Sequence, residues 1–193
     1  EKVALCWVGT PVGAAILGII LYPALGALVR ALRLHFLTYD SLMRTLLILA
    51  GIYGAYALGA NNVANVTGVF YKAGMFGSPG PQARMLALLA GGLSIGFGAL
   101  TYSRGVMMTV GKKIIPLDAF SAFVVILCEA LVVHFYSMVG VPVSASQAVV
   151  GAVLGIGLLQ GLKTVSGWTL MRIVFGWLLT PAIGFGLAWG LLL

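Results

Sequence analysis

Six apolar stretches divide the chain, with short polar connections between them. The first runs from Val3 to Val29, long enough to cross a hydrocarbon core of ~30 Å as a helix. Pro11 and Pro23 predict kinks within it. The second, Ser41 to Tyr71, contains Gly59-Ala60-Asn61-Asn62-Val63-Ala64-Asn65, and a broken helix is predicted over 59–65. The third and fourth cover Met85 to Ser103 and Asp118 to Gly140. The fifth, Ala148 to Leu162, would be about 22 Å long as a helix, short for a span. The last, Trp168 to Leu193, is again long enough and carries Pro181. Arg30, Arg33, His35 and Asp40 mark the first connection. Lys72 to Arg84 is a turn-rich second one, and Arg104 to Pro116 reads as a loop or interfacial segment. Between the fourth and fifth stretches lies Val141-Pro142-Val143-Ser144-Ala145-Ser146-Gln147, polar yet uncharged, which predicts a re-entrant break at 140–147.

Composition turns this pattern into a class. Of 193 residues, 61% are apolar, 8% are charged and 27 are glycine. A soluble domain carries about 25% charged residues, so this chain has too few to cover an aqueous surface. The predicted fold class is an all-α polytopic membrane protein of the cell membrane, with the lipid bilayer as its first partner. The glycines predict close helix approach or irregular backbone within the bilayer. The net charge of +7 comes from Lys and Arg scattered between apolar runs, which suits anionic headgroups and excludes a nucleic-acid face. The positive-inside rule puts 30–44 and 104–113 in the cytoplasm. Cys6 and Cys128 lie inside apolar runs and form no disulfide framework. Glu1 followed by a long apolar run does not read as a signal peptide, and a chain starting without Met reads as a segment of a longer one.

The chemistry concentrates at the two polar breaks. Three carboxamides, Asn61, Asn62 and Asn65, must find partners in an otherwise apolar run. Asn61 and Asn65 share a helical face while Asn62 points about 100° away. Interhelical bonding is one reading; a substrate or ion site is favoured, since Asn carbonyls suit a hard cation and Asn amides an anion. At the second break, Pro142 stops one helix and Ser144 can cap the next, starting at Ala145. The exposed N–H groups and dipole of that helix end make an anion site without Lys or Arg. Glu129 is an intramembrane carboxylate that binds a cation, relays protons, or pairs with Arg104 or Lys113. His134 is less telling. No metal motif, nucleotide loop or hydrolytic triad is visible, so no enzyme or bound cofactor is expected.

One internal echo bears on organisation. Trp7-x-x-Thr10-Pro11 recurs as Trp177-x-x-Thr180-Pro181, 170 positions later. Read as a repeat, it makes residues 1–29 the last transmembrane helix of an upstream repeat and 30–193 a second repeat. A two-repeat chain cut in half is what a secondary transporter would give.

At the two breaks the sequence resembles the inorganic phosphate transporter (PiT) family. Its members carry Gly-Ala-Asn-Asp-Val-Ala-Asn and Pro-Val-Ser-Thr-Thr-His in each of two inverted repeats, matched here by Gly59 to Asn65 and Pro142 to Gln147. Gly91 to Gly96, Thr109 to Ile114, Val150-Gly151-Ala152 and Trp177-x-x-Thr180-Pro181 also look like the family's second half. The resemblance implies a symporter of phosphate, driven by Na⁺ or H⁺ as coupling ion. It implies that Asn62, Ser144, Ala145, Ser146 and Gln147 hold the anion, and that Asn61 and Asn65, joined by Glu129, hold Na⁺. The implied partners are inorganic phosphate or sulfate, the N-terminal half of the same transporter, and a second copy in a homodimer. Three positions depart from the pattern: Asn62 replaces an aspartate, Gln147 stands where many members have His, and Ile126 stands where many have glutamate. An H⁺-coupled sulfate permease of the same fold is the nearest rival. A non-transporting membrane assembly subunit is the rival from a different class.

Overall fold

The computed structural model describes residues 2–108, 117–161 and 166–192. They form six helices: α1 (Lys2–Ala31), α2 (Phe36–Lys72), α3 (Pro81–Met108), α4 (Ala119–Val139), α5 (Ala145–Gln160) and α6 (Gly167–Leu192). No strand occurs among the described residues. All but α5 are long and apolar enough to cross a membrane. Thr109 to Ile114, quoted above for the family resemblance, lie outside the described residues, as do Lys112, Lys113 and Leu162.

Local chemistry sets the helix ends. Asp118 caps α4 by accepting from the Ser121 N–H at 3.2 Å. At the other end Gly140 adopts φ +75°, the left-handed conformation that favours glycine. Its neighbour Val141 donates to the Tyr136 carbonyl at 3.0 Å, closing the end of α4. Pro142 follows, and Ser144 opens α5 by accepting from the Gln147 N–H at 3.4 Å. The expected interruption at 140–147 therefore falls at 140–144. Pro81 occupies the first position of α3, where its missing N–H leaves nothing unpaired. Helix α3 then continues through Arg104 to Met108, so that part of the expected loop is helical.

The predicted break in α2 is absent. The helix runs unbroken through Gly59–Asn65 because the three amides find partners without opening it. Asn62 Nδ2 donates to the Leu58 carbonyl at 3.2 Å, and Asn65 Nδ2 to the Asn61 carbonyl at 2.8 Å. Only Asn61 reaches outside its own helix. Helix α1 likewise stays helical past Pro11 and Pro23. In both copies of the Trp-x-x-Thr-Pro echo the threonine hydroxyl bonds one turn back, Thr10 to Cys6 at 2.6 Å and Thr180 to Gly176 at 2.8 Å.

The core lies where α4 and α5 pack between α1 and α2, around Val124, Cys128, Val133, Val153 and Ile156. Helix α3 leans on α2, and α6 meets the core through Leu170, Ile173 and Trp177. The tightest seam joins α1 to α5. Side chains there would collide with backbone: a Cβ on Gly151 would strike the Pro11 carbonyl, and one on Gly155 the Ala15 carbonyl. Glycine at this four-residue spacing lets two helices touch backbone to backbone.

Asn61 locks the break that precedes α5. Its Nδ2 donates to Ser137 Oγ at 3.1 Å and to the Val141 carbonyl at 3.2 Å. Its Oδ1 accepts from the Val143 N–H at 3.0 Å. Two of these bonds satisfy backbone groups of the break, the Val141 carbonyl and the Val143 N–H, and the third ties the amide to α4 through Ser137.

Two predictions follow from these contacts. Gly151→Ala lowers the melting temperature in detergent, with an overpacking cost of about 1–3 kcal/mol; Gly96→Ala, whose Cβ meets nothing within 4 Å, leaves it near the parent value. Asn61→Ala strands a buried N–H and a carbonyl and costs roughly 3 kcal/mol. Asn65→Ala, at an exposed position, changes the same melt by less than about 1 kcal/mol.

Candidate functional site

The break leaves the first turn of α5 pointing into a cavity of about 360 Å³. Trp7, Leu58, Asn62, Pro142, Val143, Ser144 and Ala145 line it. The floor is thus a helix N-terminus, one wall is the middle of α2, and Trp7 of α1 closes a third side. Within the first turn, the N–H groups of Ala145 and Ser146 have no carbonyl four residues back inside the helix. The Ser144 and Ser146 hydroxyls lie 2.9 Å apart and share a proton between them. No charged side chain among the described residues lines the cavity. A helix N-terminus with unpaired N–H groups presents partial positive charge there.

Asn62 contributes the complementary group. Its Nδ2 spends one of its two hydrogens on the Leu58 carbonyl, which leaves Oδ1 as an acceptor and one N–H as a donor. The site therefore combines donors on the α5 side with an amide on the α2 side that can accept as well as donate.

The structure splits the residues expected to hold the anion. Asn62, Ser144 and Ala145 come together, and Ser146 joins them through Ser144. Gln147 does not. Its side chain lies behind Trp7, in a separate apolar cavity of about 230 Å³ between α1, α5 and α6, lined by Trp7, Val8, Pro11, Val174, Trp177 and Leu178. Gln147 is 3% exposed and its Oε1 has no hydrogen-bond partner among the described residues. The two tryptophans of the sequence echo meet at this residue. Trp7 was missed as a wall of the cavity at Ser144; the echo was its sole signal in the sequence.

The residues expected to hold a cation are spread along α2. Asn61 is committed to the break, and Asn65 is exposed. Glu129 is buried in the middle of α4, facing Gly54, where an added Cβ would lie 3.2 Å from its Oε2. That position is about 10 Å along α2 from Asn61. Glu129 makes no ion pair among the described residues. His134, one further turn along α4, pairs its Nδ1 with the Tyr53 hydroxyl at 2.7 Å and meets the Tyr53 and Tyr56 rings edge-on. Glu129, the Tyr53–His134 pair and the Asn61–Ser137 pair thus form a polar series along the α2–α4 seam.

Comparison with known proteins identifies the family. A model of the phosphate transporter family matches residues 1–188. A protein of Pyrococcus furiosus named as a phosphate permease is 38% identical over 156 residues, covering 77% of this chain and 38% of its own length. The sodium-dependent phosphate transporter 1-B of Xenopus laevis is 34% identical over 148 residues, covering 74% of this chain and 22% of its own. A solved structure titled a sodium-dependent phosphate transporter superposes with a TM-score of 0.60 at 30% identity, covering 92% of this chain and 52% of that one. The chain thus spans about two fifths of the length of the Pyrococcus relative and about half of the solved transporter. These relatives are transporters rather than enzymes, and five helices of spanning length make this a multi-pass membrane protein. By the family match along nearly its whole length and by these relatives, the chain belongs to the phosphate transporter family.

Proposed function

We propose that this chain supplies one half of a secondary active symporter, and that its cavity at the start of α5 carries inorganic phosphate. The observation that supports this most is the opening of the α5 N-terminus opposite Asn62, in a cavity without charged side chains. Backbone N–H groups of the first turn and the hydroxyls of Ser144 and Ser146 bind anionic oxygens. Asn62 Oδ1 accepts a hydrogen from a protonated phosphate oxygen. Sulfate has no such hydrogen near neutral pH, so the carbonyl of Asn62 can accept only from phosphate. The serines act as ligands; nothing near them could serve as the base that a nucleophile needs.

The coupling ion in this reading is Na⁺, which rests on relatives named sodium-dependent. Glu129 is its carboxylate, buried at the α2–α4 seam without a cationic partner among the described residues. Residues 1–29 are read as the last helix of a preceding repeat, and 30–193 as a second repeat that works against it. The shared threonine bond in the two Trp-x-x-Thr-Pro copies and the half-length match to the solved transporter support that division. Alternating access is then motion of one repeat against the other around a fixed site.

Uptake of radiolabelled phosphate into proteoliposomes, with sulfate as competitor and with Na⁺ present or absent, tests both parts. Ser144→Ala with Ser146→Ala raises the KM for phosphate at least tenfold while the protein still reaches the membrane. Unchanged kinetics would refute the site, and no uptake by the chain together with its other half would favour an assembly role. Glu129→Gln flattens the dependence of uptake on Na⁺; a Na⁺ dependence equal to that of the parent removes Glu129 from coupling.

A further inference from the structure

The far end of α5 borders a second cavity, of about 380 Å³, that the transport reading does not use. It lies about 22 Å along the helix from Ser144. Four helix ends meet there: the last turns of α1 and α5, the first turn of α2 and the cap of α4. In a bundle of spanning helices, such a set of ends sits where hydrocarbon gives way to headgroups.

Three aromatic rings, Tyr22, Tyr39 and Phe120, line this cavity together with Arg30 and Asp118. Tyr22 and Phe120 are held with ring centroids 5.3 Å apart. Gln160 fixes them from α5, donating to the Tyr22 hydroxyl at 2.9 Å and to Ser121 Oγ at 3.3 Å. Asp118 uses Oδ1 to cap α4, which leaves Oδ2 for a ligand. Arg30 folds back along its helix until its Nη1 comes within 3.4 Å of where a Gly26 Cβ would sit. Among the described residues, neither charge has an ion-pair partner.

The cavity therefore offers one anionic group with aromatic faces and one cationic group, without pairing them to each other. An ammonium group is attracted to aromatic faces and a carboxylate together. A phosphodiester suits a guanidinium. We propose that this cavity binds the headgroup of a zwitterionic phospholipid, ammonium toward Asp118 and the rings, phosphate toward Arg30. A purely anionic headgroup leaves Asp118 unmatched and is repelled by it. Inorganic phosphate has the same defect.

Native mass spectrometry of the purified protein, incubated in turn with phosphatidylethanolamine, phosphatidylcholine and phosphatidylglycerol of equal chain length, tests this. One zwitterionic lipid per chain is retained at least tenfold more strongly than phosphatidylglycerol. Asp118→Asn, which keeps a good helix cap, and Arg30→Gln each bring retention down to the phosphatidylglycerol level, whereas Arg44→Gln, away from the cavity, does not. Equal retention of all three lipids by the parent protein overturns the proposal, and that comparison holds even if a variant fails to fold. Displacement of the lipid by millimolar inorganic phosphate also overturns it, because the cavity would then be a free-anion site. Neither result bears on the cavity at Ser144.

Discussion

A break in a helix inside hydrocarbon survives only if its freed backbone groups are bonded to protein. In this chain two groups of the break that neither helix reaches, the Val141 carbonyl and the Val143 N–H, are bonded by one side chain. Asn61 accepts from the Val143 N–H and donates to the Val141 carbonyl and to Ser137, so both sides of the break hang on a single amide from α2. Without it, residues 140–144 would have to continue the helix, which Pro142 forbids, or leave buried groups unpaired. The short helix, its open N-terminus and the cavity beside it all depend on that attachment.

The seam between α1 and α5 imposes the second constraint. Gly151 and Gly155 let α5 lie against the α1 backbone at Pro11 and Ala15, so the small helix is pinned along its length as well as at its start. Two different kinds of contact therefore position the same element. On the α2 side it is held by directional hydrogen bonds, and on the α1 side by close packing without polar atoms. Their separate chemistry is why the composition shows both many glycines and amides in an apolar run.

Much of this was legible in the residues. Pro142 and Ser144 marked a stop and a start, and both ends of α4 fell within a residue of the apolar run. The grouping of Asn62 with Ser144 and Ala145 was implied by the resemblance to the phosphate transporter family; the residues alone marked each break as a separate candidate. What failed did so for local reasons. Asn62 and Asn65 satisfy their donors on carbonyls one turn back, so amides that suggested a broken helix sit comfortably in a continuous one. Gln147 was grouped with Ala145 by the family motif, yet two residues on a helix turn a side chain through about 200°. It therefore faces α1 and α6 instead of the cavity. Trp7 is far from every other wall residue in sequence, and nothing local to it announces that it closes the site.

Neighbouring residues on α2 divide the labour of scaffold and site. Asn61 holds the break while Asn62, turned about 100° around the helix, offers its acceptor to the cavity. The wall bearing Asn62 and the floor formed by the start of α5 cannot part unless the three bonds of Asn61 break with them. On the proposed reading, the anion is then held by a unit that moves as a body, with α2, α4 and α5 keeping their relation. Opening and closing must arise on the sides that this unit leaves free, at Trp7 of α1 and on the surfaces beyond. A neutral ligand set suits such a site, because helix-end N–H groups and hydroxyls hold an anion without the deep attraction of a buried cation. Release then requires only that water reach the cavity, and the geometry of the binding groups can stay as it is.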